Sequence, residues 1–242
     1  MKVISMSDLH GYLPDSKIVP ACDVVCICGD IVPLDYQNDI IKSISWFCLE
    51  FIPWTDSLNC KKVLFIGGNH DFALETIMYK SNGQLMAPSQ VLKELLPGNN
   101  KGRHKLIYLR DSLVEIDGVT FYGTPWVKSL KDWAFYGTSE FLNEIWDDIP
   151  KKLDVLLTHQ PPDILDVGTV LQGDTPGLHN FGCAILTKKL LDREIRYTFC
   201  GHVHSGNHEL LEYKPGCFIT NVSVKDEYYQ PKWGHNFTVY DI

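Results

Sequence analysis

No apolar run in the 242-residue chain approaches the ~20 residues that cross a bilayer. The Met1-Lys2 start leads into a short apolar segment broken by Asp8 and His10, with neither a long apolar core nor a small-residue cleavage site. A membrane span and a secretory leader are not expected, and a soluble, cytoplasmic protein is. Paired Cys-x-x-Cys spacing is also missing. Cys22, Cys26, Cys28, Cys48, Cys60, Cys183, Cys200 and Cys217 are scattered, several inside apolar runs where a thiol acts as a small hydrophobe. Core packing in a reducing compartment is the reading, not a zinc cluster or a disulfide scaffold. Positive charge is scarce too. The formal net charge of −8 argues against a broad grip on nucleic acid, and the only dense basic run is Lys101, Arg103, His104 and Lys105, read as a solvated loop in preference to a phosphate contact. Repeats and low-complexity segments are absent, and residues 1–242 read as a single domain.

Five short apolar runs are present, and each ends within a residue or two in a metal-ligand type. Residues 3–7 lead to Asp8 and His10, 24–29 to Asp30, and 63–68 to Asn69, His70 and Asp71; residues 155–158 lead to His159 and 197–201 to His202 and His204. A strand buried on both faces reads as such a run, and ligands gather outside the carboxyl ends of these strands. Any one of these residues could be a surface histidine or a turn-capping aspartate. Packing, however, requires no ligand type at every strand end.

Carboxylate, imidazole and carboxamide oxygen suit divalent Mn, Fe or Zn. Asp8, His10, Asp30, Asn69, His159, His202 and His204 are too many for one ion. They fit two ions roughly 3.5–4 Å apart, with a bridging carboxylate for which Asp30 is the natural choice.

Asp8-x-His10, Gly29-Asp30, Gly68-Asn69-His70-Asp71, His159 and Gly201-His202-Val203-His204, in this order, resemble the signature of the calcineurin-like metallophosphoesterase superfamily. Further segments resemble its metallophosphoesterase-domain subgroup, a class III-like phosphodiesterase branch. These are Gly123-Thr124-Pro125-Trp126, Thr158-His159-Gln160-Pro161-Pro162, Gly177-Leu178-His179, Asn221-Val222-Ser223 and Tyr229-Gln230-Pro231. Ser205-Gly206-Asn207-His208 departs from the Tyr-Gly expected after His204.

The resemblance implies that Asp8, His10, Asp30 and His204 hold one metal, and that Asp30, Asn69, His159 and His202 hold the other. His70 is left over, placed to give a hydrogen bond or proton to a phosphoester oxygen. Asp71 is expected to act with it by orienting it, or to cap the next helix. A metal-bridging hydroxide, available near neutral pH, would attack phosphorus directly. The expected activity is a phosphodiesterase on small or nucleotide substrates. Alternatives are a phosphomonoesterase on small molecules, or a scaffold that kept the fold without turnover. A nuclease would want a basic groove that this chain lacks, and a monomer or small homo-oligomer is expected.

Ile40, Ile41, Ile44, Phe47, Cys48 and Phe51 recur at helical spacing, so residues 34–52 read as an amphipathic helix ending at Pro53. Further helices are expected over 88–96 and over 182–192, the latter with Ala184, Ile185, Leu190 and Leu191 as its face. Strands are expected over 106–109, 113–116 and 119–122, with an Asp117-Gly118 turn, and over 208–213, 217–221 and 236–240. Together with the resemblance, this points to an α/β fold, a four-layer α/β/β/α sandwich of two mixed sheets. The aromatic-rich residues 126–146 either anchor a loop to the core or form a wall for a nucleobase or aryl group, with Trp126 and Trp133 as its candidates. His179 is a candidate substrate contact.

Overall fold

The computed structural model describes residues 1–76, 105–128, 130–232 and 237–242. The helix expected over 88–96, and Lys101, Arg103 and His104 of the basic run, lie outside the described residues. Lys105 is half-buried and donates to the Leu58 carbonyl at 2.7 Å.

Among the described residues the strands form two mixed sheets. The first contains β1 (Lys2–Met6), β2 (Val24–Cys28), β3 (Lys62–Ile66), β4 (Leu106–Tyr108) and β11 (Val239–Asp241), in the order β11-β1-β2-β3-β4. The second contains β5 (Ser112–Ile116), β6 (Val119–Thr124), β7 (Lys152–Thr158), β8 (Glu194–Cys200), β9 (Leu211–Lys214) and β10 (Cys217–Asn221), in the order β5-β6-β7-β8-β10-β9. The ligand-bearing strands β1, β2 and β3 are mutually parallel, as are β7 and β8. Within each sheet the ligand-bearing carboxyl ends therefore face one way.

Alternation along the strands creates the layers. Val24, Cys26, Cys28, Leu64 and Ile66 of the first sheet meet Phe121, Val155, Leu157 and Phe199 of the second in one fully buried cluster. Val25, Ile27, Val63 and Phe65 face the other way, toward Phe47, Phe51 and Trp54. On the far side Leu156 and Ile195 join Leu142, Trp146, Leu186 and Leu190. The four-layer α/β/β/α sandwich is thus built. The eight cysteines are free thiols, and Cys26, Cys28, Cys183, Cys200 and Cys217 are buried, as small hydrophobes would be.

The first helical stretch differs from expectation. It does not stop at Pro53. α1 (Ile40–Trp46) passes through a π turn (Phe47–Phe51) into α2 (Ile52–Ser57). Proline cannot donate in a helix interior, but it is tolerated in the first turn. The wider turn, with Ile52 N–H donating to Phe47 O, restarts the ladder and leaves Pro53 in the first turn of α2. Asp39 caps α1 by accepting from Ile41 and Lys42 N–H.

A short α3 (Phe72–Thr76) follows β3, and α4 (Ser139–Ile145) lies within the aromatic-rich residues 126–146. α5 (Ala184–Leu191) lies where the third helix was expected, but its buried face is Leu186, Lys189 and Leu190, whereas Ala184 and Leu191 are exposed. Lys189 is buried because its stem packs while its ammonium reaches Asp147 at 2.6 Å. The β5–β6 hairpin turns at Asp117 (φ 49°) and Gly118 (φ 82°), as Asp-Gly turns do.

The sheets touch at one more place. Past the end of β1, Ser7 N–H donates to Val222 O at 2.9 Å and Val224 N–H to Ser7 O at 3.0 Å, so the first sheet's leading strand is stitched to the chain beyond β10.

Trp146 is completely buried between α4, α5 and the second sheet, and its indole N–H reaches Thr124 Oγ1 at 3.2 Å. Trp146→Ala should cost about 3–5 kcal/mol in urea unfolding, whereas Leu191→Ala, on the exposed edge of α5, should cost well under 1 kcal/mol.

Candidate metal centre

The ligand types leave their strands through sharply bent backbone. Asp8 (φ 57°), His10 (φ 43°), Asp30 (φ 53°) and His202 (φ 70°) all hold left-handed conformations that non-glycine residues rarely adopt. Backbone bonds hold two of these turns side by side, Asp8 N–H to Gly29 O at 3.0 Å and His10 N–H to Asp30 O at 2.9 Å. Glycine precedes several ligands because nothing larger fits. A Cβ on Gly68 would lie 2.3 Å from Asp30 Oδ1, and one on Gly201 would lie 2.5 Å from Asp8 Oδ2.

All seven side chains named as ligands converge, and all except the half-buried His202 are buried. His204 Nε2 lies 3.3 Å from His10 Nε2 and 3.5 Å from Asp8 Oδ1. Asn69 Oδ1 lies 2.9 Å from His159 Nε2 and 2.8 Å from His202 Nδ1. Asp30 stands between these two groups, its Oδ2 3.8 Å from His10 Nε2 and 3.3 Å from His159 Nε2.

The outer nitrogens explain why a cation belongs here. His159 Nδ1–H donates to Cys28 O at 2.8 Å, and His204 Nδ1–H to Asp226 O at 2.9 Å. Each neutral ring then turns an Nε2 lone pair inward, and that of His159 meets the carboxamide oxygen of Asn69. Acceptors facing acceptors need a proton or a metal ion between them. Hydrogen bonding of the outer nitrogen to a carbonyl is also how proteins fix a ligating imidazole.

Charge gives the same picture. Burial would raise Asp8 and Asp30, but the imidazoles of His204 and His159 hold both carboxyls well below the usual range. Burial would likewise lower His159, yet Asp30 and Asp8 push it up to about 9, so a proton takes the cation's place there. Burial brings His10 down to about 3 and His202 down to about 4, leaving both rings neutral with lone pairs to give. The donor set is therefore two carboxylates, one carboxamide oxygen and four imidazole nitrogens, which fits divalent Mn, Fe or Zn.

His70 sits at the mouth. Its backbone N–H donates to Asp30 Oδ1 at 2.8 Å, and its Nε2 is 3.8 Å from Asp30 Oδ2. Asp71 does not orient it. The Asp71 carboxylate is fully buried and accepts from Gly68 N–H at 2.8 Å, Ile31 N–H at 3.0 Å and Val32 N–H at 3.0 Å. Nor does that side chain cap α3, whose first bond goes to the Asp71 backbone carbonyl instead. Asp71 ties the loop of Asp30 to the loop of Asn69. The contact on His70 Nδ1 comes from Gln37 Oε1.

Trp126 lies away from the ligands. It is buried, with its indole N–H on Asp111 at 2.8 Å, its ring against Phe135 and Phe141, and the Arg110 guanidinium 4.9 Å above it. Trp133 is half-buried and its ring centre is 4.5 Å from that of His70. His179 is exposed, stacked on Phe181 in its own loop.

A family model described as calcineurin-like phosphoesterase matches residues 1–206. The chain belongs to that family. Metallophosphoesterase domain-containing protein 1 of Homo sapiens is 28% identical over 237 residues, covering 95% of this chain and 68% of the relative. A UPF0046 protein of Caenorhabditis elegans is 29% identical over 219 residues, covering 85% of this chain. The match takes in 52% of that relative, so the chain spans about half its length. Among solved structures, phosphopantetheinyl hydrolase from Mycobacterium tuberculosis shares the fold at a TM-score of 0.51 and 13% identity, covering 94% of this chain and 90% of its own. A further structure superposes at a TM-score of 0.61 and 14% identity over 91% of this chain and 89% of its own.

Two residues against the ligands were not among the site residues expected from sequence. Tyr229 (φ 59°) sets its ring 5.1 Å from that of His10 and 4.9 Å from that of His204. Asp226 accepts from His204 through its carbonyl, and its carboxylate accepts Tyr228 N–H at 2.9 Å and Gln230 N–H at 2.8 Å. The turn-forming Asp226 was the available signal, but only folding shows what the turn covers.

Asp71→Asn would place an amide donor against backbone donors in a dry pocket. It should cost about 1–3 kcal/mol in urea unfolding and weaken metal retention with it, whereas His70→Ala, which leaves these backbone donors paired, should leave metal retention nearly unchanged.

Proposed function

We propose that this chain is a dinuclear-metal-dependent phosphodiesterase acting on small or nucleotide substrates. The observation that carries this reading is the inward convergence of Asp8, His10, Asp30, Asn69, His159, His202 and His204 from five strand ends, with the outer nitrogens of His159 and His204 already committed to carbonyls. The reading treats residues 1–242 as one domain, because both halves supply ligands. Asp8, His10, Asp30 and His204 would hold one ion, and Asp30, Asn69, His159 and His202 the other. Bound there, two divalent ions would lower the pKa of water and neutralise charge on phosphorus.

The chain's own residues do the rest. The carboxylates and neutral imidazoles hold the ions in a pocket whose walls are strand ends, so the geometry is set before a substrate arrives. His70, at the mouth beside Asp30, donates a hydrogen bond or proton to an ester oxygen. Trp133, against the His70 ring, is the better placed of the two tryptophan candidates to meet an aromatic leaving group. The scaffold alternative is disfavoured by the completeness of the ligand set. The eight free thiols suit a reducing compartment. No helix among the described residues is long and apolar enough to cross a membrane.

The deciding assay is hydrolysis of bis-p-nitrophenyl phosphate beside p-nitrophenyl phosphate by chelator-stripped protein with and without Mn²⁺. Metal-dependent turnover favouring the diester is expected, and a monoester preference would move the assignment to a phosphomonoesterase. Asp30→Asn should lose bound metal and abolish turnover; full occupancy with the wild-type rate would sink the bridging role. His70→Ala should keep both metals and lose rate, on the order of 10²–10⁴-fold for phenyl diesters and less for p-nitrophenyl diesters, whose leaving group needs no proton. Equal losses would show that His70 steadies charge on phosphorus instead.

A further inference from the structure

Resting on the role of His70 just proposed, we infer that Gln37 is a positioning residue, one that fixes which nitrogen of His70 carries the ring proton and so aims Nε2 into the cleft. The Gln37 carboxamide oxygen sits on His70 Nδ1, and a carboxamide oxygen can only accept. Nδ1 must then carry hydrogen whether the ring is neutral or charged. Nε2 is left free of Gln37 and faces whatever occupies the cleft.

The ring has little freedom to do otherwise. The His10 ring meets it edge-on at 4.8 Å and 88°, and Trp133 packs against it at 4.5 Å. Gln37 is itself held from behind. It follows the 3₁₀ turn Leu34–Tyr36, which is closed by Tyr36 N–H to Pro33 O at 2.9 Å. That turn is tied to α1 by the buried Ser43, whose hydroxyl donates to Tyr36 O at 2.7 Å.

A neutral partner suits this position. Asp8 and Asp30 already place two buried carboxylates within reach of His70, and a third charge would add repulsion where burial makes it most costly. An amide supplies direction without charge. Asp71, the neighbour in sequence, is meanwhile committed to the backbone of 31, 32 and 68.

The test reads the tautomer directly. Zinc-loaded protein labelled with ¹⁵N-histidine is examined by long-range proton–nitrogen correlation, with His70 assigned from the signal lost in His70→Gln. Protonated Nδ1 is expected in the wild type and in Gln37→Glu, which keeps an acceptor oxygen. In Gln37→Leu the proton should move wholly or partly to Nε2, with kcat for diphenyl phosphate falling ~10–100-fold while KM and metal content hold. An Nε2-protonated His70 in the wild type, or an unchanged tautomer or kcat in Gln37→Leu, would overturn the inference. Wild-type protein that hydrolyses no phosphoester with metals bound would defeat the phosphoesterase reading instead, and the tautomer would still decide what Gln37 does.

Discussion

Asp8 and Asp30 are two ionised carboxylates, almost completely shut off from water at the seam between two sheets, and most of the local structure exists to make that tolerable. A buried charge without a partner costs several kcal/mol. Here the compensation is built from strand ends besides their own. His202 N–H donates to both oxygens of Asp8 at 3.1 Å, His70 N–H donates to Asp30, and the imidazoles of His159 and His204 stand beside them. Carboxylates held in this way suit divalent cations well, and that is the property a phosphoesterase of this family requires.

Much of the site was legible in the sequence because strand and ligand signals coincide. A double-faced buried strand is written as an unbroken apolar run, and the chain must turn where the run stops. Asp8, Asp30, Asn69, His159 and His202 sit at those turns, so the residues just past the five runs make up most of the centre. The sheets were legible for the same reason, down to the Asp117-Gly118 turn. Pro53 misled because local chemistry alone says that a proline ends a helix, while the π turn that carries the chain past it depends on packing of Phe47 and Phe51 against Phe65.

What the sequence hid are contacts across long separations. Asp71 adjoins His70 in the chain but faces the backbone of Ile31 and Val32, whereas Gln37, 33 residues before His70, meets its ring. Trp126 and Trp133 look alike on paper. One has its indole N–H satisfied by Asp111 inside the core and the other lies on His70. The softer motifs turn out to be fasteners. Gln160 accepts from Lys128 N–H and donates to Phe181 O, and Asn221 donates to Val167 O and Val203 O, so each pins a loop beside a ligand.

The stitch between Ser7 and residues 222 and 224 bears on the order in which the protein can be made. The turn of Asp8 is braced by chain that leaves the ribosome more than two hundred residues after Asp8 itself. Asp226, which fixes the His204 ring, emerges after that. A nascent chain can pair β1, β2 and β3 early, but it carries only part of a cation site until this late segment folds back. Synthesis thus separates the laying down of the sheets from the moment the candidate centre is complete.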